Sequence, residues 1–122
     1  MSEHEPAFDW DQAASLLGDD PNAVEPDMAA IARELVEGAE VQFQALKDKN
    51  PETDAKGIAA EAHGLRGCLL NFGFTEVGTL LSQVEKGAYQ PAEYQSRIEQ
   101  AYTVFHQSKK ILAERYPSLG LV

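Results

Sequence analysis

The chain has 122 residues, enough for one domain around one core spanning 1–122. Its 43% hydrophobic and 25% charged content is that of an ordinary globular protein, and a formal charge of −10 argues against nucleic acid or an anionic membrane as partner, because both need a basic face. A single cysteine, Cys68, precludes an internal disulfide and suits a reducing compartment. With no charged-then-apolar leader and no apolar run near ~18 residues, the cytoplasm is the expected location.

Residues 1–7 read as a frayed polar start that includes His4. Phe8 to Leu17 predicts a short helix with Asp9 or Asp11 near its beginning, stopped by Gly18-Asp19-Asp20-Pro21. It is too short for a full bundle member and is expected to act as a lid. A second helix runs from Pro26 or Asp27 to about Lys49, with Met28, Ile31, Leu35, Ala39, Phe43 and Leu46 as its inner stripe. Asn50-Pro51 divides it from a third, over about 51–72. Gly73 breaks that one, and Thr75 is the expected cap of a fourth, which carries Val77, Leu80, Leu81 and Val84 and ends at Gly87. Pro91 opens the last, with Tyr94, Ile98, Ala101, Phe105 and Leu112 facing inward, and Tyr116-Pro117 closes it. Short connections make successive helices antiparallel neighbours. The expected fold is all-α, an up-down-up-down four-helix bundle with an N-terminal lid, and the default state is a monomer.

The third helix holds the most informative residues. Ile58, Ala62, Leu65, Leu69 and Phe72 fall within an arc of about 80° at ~100° per residue. His63 lies roughly 140° from Ile58 on that wheel, so burial of the helix leaves its imidazole outside. Side chains on a helix lean toward its N-terminus, so a residue at position 67 would cover the histidine's turn; Gly67 leaves it open. Gly64 and Gly67 each cost about 1 kcal/mol relative to alanine in a helix interior, which suggests that access to the ring matters. Ala59, Ala60, Arg66 and Leu70 share this outward face, and Leu70 is a candidate partner contact. Cys68, at the edge of the buried arc, reads as a small packing residue.

An exposed histidine on a rigid helix can be a nucleophile toward phosphorus, a metal ligand, a general base or a plain surface residue. Nucleophilic attack on phosphorus needs a neutral imidazole, open approach and a nearby cation, which His63, Gly67 and Arg66 supply together. Glu61 and His63 are two apart and cannot form the Glu-x-x-His ligand pair of bundle metal sites, so no metal site is expected. Neither a GxG nor a P-loop occurs, leaving no visible nucleotide machinery. His4 and His106 read as surface or boundary residues. Phe8, Trp10, Phe43, Phe72 and Phe105 read as core or lid, with Phe74 and Tyr89 open.

Ala62-His63-Gly64-Leu65-Arg66-Gly67, with Gly73 ten residues after the histidine and Leu80, Leu81 and Val84 beyond, resembles the histidine phosphotransfer (HPt) domain of multistep phosphorelays. Leu16-Leu17-Gly18-Asp19-Asp20-Pro21 is also similar to the lead-in of many such domains. The resemblance implies a phosphocarrier without kinase activity of its own, in which Nε2 of His63 accepts a phosphoryl group from an aspartate of one receiver domain and passes it to another. It implies that Arg66, where lysine is commoner, offsets phosphoryl charge, and that Gly67 keeps the ring accessible. Glu85, where several members carry glutamine, would orient the inner ring nitrogen. No cofactor is implied for this chain, Mg²⁺ belonging to the response-regulator receiver; a hybrid sensor kinase is a further possible partner. Gly64 and Cys68 depart from the usual pattern. The alternative is a helical adaptor that binds a receiver without being phosphorylated at His63.

Overall fold

The computed structural model describes residues 6–87 and 90–121, and every regular element among them is helical. His4, Tyr89 and residues 1–5 of the expected frayed start lie outside the described residues. The elements are α1 (Trp10–Leu17), α2 (Pro26–Asp48), α3 (Ala55–Asn71), α4 (Thr75–Lys86) and α5 (Tyr94–Arg115), with short 3-10 turns at Pro91–Glu93 and Pro117–Leu119. Helices α2 to α5 pack in a closed ring, α2 on α3, α3 on α4, α4 on α5 and α5 back on α2. This is the expected four-helix bundle with a lid helix before it.

Local chemistry sets the boundaries. Asp9 caps α1, its Oδ1 accepting the Gln12 N–H at 3.1 Å. Helix α3 starts four residues after Pro51, because Asn50 forms a turn that accepts the Glu52 N–H on Oδ1 and the Thr53 and Asp54 N–H groups on its carbonyl. Asp54 then caps the helix through the Gly57 N–H. Thr75 is the first residue of α4, the cap position belonging to the buried Phe74. Gln90 and Glu93 form a capping box around the Pro91–Glu93 turn, so α5 proper begins at Tyr94.

The core is threaded by an aromatic row, Phe43, Phe105 and Phe74, with successive ring centroids 5.3 and 6.0 Å apart. The buried Tyr94 donates its hydroxyl to the Leu46 carbonyl at 2.6 Å, tying α5 to the end of α2. In α2 the expected stripe is corrected over its first half. Ala29, Ala32 and Val36 are buried there, and Ile31 is 47% exposed. Cys68 is corrected too: it is exposed, lying about 80° from Ile58 on the wheel, at the limit of what α2 and α4 cover.

The lid closes one end. Pro6 is buried, and Ala7 donates its N–H to Glu76 Oε1 at 3.0 Å, so the chain is held from Pro6 onward. Trp10 stacks on Phe8 with centroids 4.3 Å apart, and the Arg115 guanidinium lies 4.5 Å from the Trp10 ring. The Asp9 N–H donates to the Gly73 carbonyl at 2.8 Å, and Gln12 Nε2 donates to the Asn71 carbonyl, satisfying the end of α3. Gly73 has φ +92°, and a Cβ there would sit 2.4 Å from the Asp9 carbonyl oxygen. Glycine is therefore needed at this turn for both conformation and space. Among the described residues no helix is long and apolar enough to cross a membrane.

Candidate functional site

The turn at Gly73 folds α4 back along α3, so residues at similar distances either side of it meet. His63 is ten residues before Gly73 and Glu85 twelve after, about 15 and 18 Å from the turn at the helical rise of ~1.5 Å per residue. Their side chains touch, with His63 Nδ1 2.9 Å from Glu85 Oε2. Arg66, one turn nearer Gly73, places Nε and Nη2 each 3.1 Å from Glu85 Oε1. Nη2 also lies 3.3 Å from His63 Nδ1. Three of the expected residues thus form one cluster on the α3–α4 face.

Ionised Glu85 can only accept, so Arg66 donates to Oε1, and Nδ1 donates to Oε2 when it carries the imidazole proton; Arg66 Nη2, itself only a donor, then makes no hydrogen bond to Nδ1 at 3.3 Å. Partial burial pulls the Glu85 carboxyl upward, but the hydrogen bonds of His63 and Arg66, with the charge of Arg66 and that of His63 when protonated, outweigh it and hold the carboxyl below the usual carboxylate range. A neutral ring protonated on Nδ1 bears its lone pair on Nε2. The His63 side chain is 66% exposed, against 28% for Arg66 and 26% for Glu85. Its polar contacts among the described residues are all at Nδ1. In a neutral ring with its proton on Nδ1, Nε2 carries its lone pair on the exposed side of a ring held from behind.

The remaining expected residues divide. Gly64 and Gly67 are exposed, and a Cβ on either would meet nothing within 4 Å. Neither glycine is demanded by packing. Ala60 is exposed and Ala59 half-buried. Leu70 is half-buried, and its Cδ2 sits 2.5 Å from where a Cβ on Gly78 would be. Much of Leu70 is thus spent on helix packing.

Gly78 escapes a reading based on periodicity, although counting outward from the Gly73 turn would have paired it with Leu70. A shallow groove of about 370 Å³ continues from Arg66 along α4, lined by Leu70, Gly78, Ser82, Gln83 and Lys86 among others. Away from this face, Glu40 joins α2 to α5. Its Oε1 is 2.9 Å from His106 Nε2, and Oε2 accepts the Tyr102 hydroxyl, which together with burial raises the Tyr102 phenol above its usual range. Among the described residues no group of three or more His, Cys, Asp or Glu could hold a metal ion.

Residues 23–111 match the family model of the Hpt domain. No curated protein and no solved structure matches the chain. The matched span contains α2, α3 and α4 whole and most of α5, and so includes His63, Arg66 and Glu85. The family is one of phosphorelay modules that carry phosphoryl groups without kinase activity of their own, and the match covers well over half of the chain: the protein belongs to the Hpt domain family.

Proposed function

We propose that the protein relays a phosphoryl group between aspartates of response-regulator receiver domains through Nε2 of His63. The observation that carries this reading is the 2.9 Å contact of Nδ1 with Glu85, which leaves the lone pair on the outward nitrogen of a largely exposed ring. Attack by Nε2 on an aspartyl-phosphate forms the N–P bond and returns the P–O electron pair to the aspartate. Arg66 stands within a turn of the ring and can turn part of its guanidinium toward the phosphoryl oxygens. Gly64, Gly67, Ala59 and Ala60 keep side-chain bulk low around the nucleophile, and the exposed part of Leu70 adds an apolar contact. The receiver brings the acidic pocket and its Mg²⁺, so positioning and charge are what this chain supplies.

Incubation with a phosphorylated receiver and Mg²⁺ should place acid-labile, base-stable label on the protein. Label that never appears refutes the role of His63 and favours a receiver-binding adaptor, and label that survives in His63→Gln refutes the role of His63 by placing the phosphoryl group on another residue.

A further inference from the structure

The chain carries a formal charge of −10, yet the α3–α4 hairpin bears none of it. Between Ala55 and Lys86 the charged residues are Lys56, Arg66 and Lys86 against Glu61, Glu76 and Glu85, and they cancel. The fold then separates the two signs. Lys56 is seven residues before His63, so it lies within about 20° of it on the wheel and roughly 10 Å back along the axis. Lys86 is exposed at the end of α4 and lines the groove that begins at Arg66. The acids face elsewhere. Glu61 is about 160° from His63 around α3, and Glu76, about 180° from Glu85 around α4, sits with Glu99 and Gln100 of α5. On α2, Glu40 turns to Tyr102 and His106 of α5, and Glu37 and Glu34 step from there toward the side opposite the buried stripe.

Of the hairpin's acids only Glu85 remains on the relay face, and its carboxylate is already engaged by His63 and Arg66. Among the described residues neither Lys56 nor Lys86 has an ion-pair partner. Two unpaired lysines flanking the nucleophile make a positive face on a negative body. Such a body repels an anionic partner from its other sides, which orients the encounter as well as speeding it.

We propose that Lys56 and Lys86 are specificity-determining residues that steer a receiver with a net-negative rim around its phosphoaspartate onto the His63 face. This rests on His63 being the phosphoacceptor. Neither lysine belongs to the hydrogen-bonded cluster of His63, Arg66 and Glu85, so both act on the encounter and not on the transferring group. Their contribution belongs to the second-order rate of transfer and is absent from the rate within the complex. A receiver with a net-positive rim is the partner this face turns away.

The test measures transfer by rapid quench from one phosphorylated receiver with a net-negative rim to wild type, Lys56→Gln/Lys86→Gln and Lys109→Gln/Lys110→Gln. The two variants carry the same total charge, but Lys109 and Lys110 lie beside His106 on α5, the helix diagonal to α3 in the ring. At an ionic strength of ~20 mM, where the screening length is about 20 Å, the first variant should show about a fivefold lower second-order rate constant, and the second a loss below about twofold. At ~500 mM, where screening falls to about 4 Å, all three should agree, which also shows the variants to be folded. The rate at saturating receiver should be the same for all three. An equal loss in both variants reduces the effect to total charge, and a loss that persists at high salt or at saturation makes the lysines direct contacts. Either result overturns the proposal and leaves His63 as phosphoacceptor, as do three equal rates at low salt. Label on none of the proteins overturns the phosphoacceptor reading and this inference together.

Discussion

Replacing Gly64 and Gly67 by alanine should make this protein more stable and a poorer carrier. Both positions lie in the interior of α3, both are exposed, and a Cβ at either meets nothing within 4 Å. No packing is disturbed, so each substitution should recover the helix-propensity difference of about 1 kcal/mol. For a domain of this size, an unfolding entropy of about 2.1 cal/mol/K per residue turns 1 kcal/mol into roughly 4 °C, so the double variant should melt about 8 °C higher. Thermal melts followed by circular dichroism, run beside the transfer assay, check both halves. Gly67→Gln, whose side chain leans back over the His63 turn, should retain the wild-type fold and slow transfer more than Gly67→Ala does. A lower melting temperature for either alanine variant would mean that the glycine packs against something, and the interpretation of these positions as clearance would be wrong.

Gly78 should behave in the opposite way. Gly78→Ala drives a methyl group against Leu70 Cδ2, and denaturant titration should show a loss of about 1–3 kcal/mol from overpacking. Gly73→Ala combines a positive φ with a clash against the Asp9 carbonyl, so it should cost more than about 1–2 kcal/mol and release the lid, read as a change in Trp10 fluorescence. Unchanged Trp10 emission would separate the lid from this turn. The Glu85 carboxyl is lower in the folded protein than when unfolded, so its contribution to stability is present above the unfolded value and disappears as pH falls through the folded one. Acid titration of Glu85→Gln should therefore show a shallower loss of stability on the acidic side than wild type, and identical acid limbs would remove the ion pairs as its cause.

The helix count, the order of helices and the histidine face were legible because they are local. The spacing of Ile58, Ala62, Leu65 and Leu69 is a property of α3 alone, and those four residues are buried. Boundaries set by side-chain caps were less so. Proline suits a first helical turn, but Asn50 and Asp54 compete for the same backbone donors and move the start of α3 to Ala55. In α2 the eye follows Ile31, yet the small Ala29 and Ala32 are what permit close approach, and isoleucine is left outside. At the site, residues of α3 could be ranked from one helix wheel. The division of Glu85 between His63 and Arg66, the seat of Leu70 on Gly78 and the junction of Glu40 with Tyr102 and His106 depend on two helices meeting in register, and no periodicity within one helix reports that.

The segment between the lid and α2 is locked by the far end of the chain. Tyr116 donates its hydroxyl to the Gly18 carbonyl at 3.1 Å, Ser118 donates to the Pro21 carbonyl at 2.7 Å, and Arg33 Nη1 reaches the Leu119 carbonyl at 2.8 Å. These bonds join residues 86 to 98 apart in sequence. During synthesis, residues 18, 21 and 33 must therefore wait for residues 116 to 119 before these bonds can form. The α3–α4 hairpin that presents His63 can close much earlier, His63 and Glu85 being only 22 positions apart. The relay hairpin can close first, and the segment between the lid and α2 is fastened only afterwards.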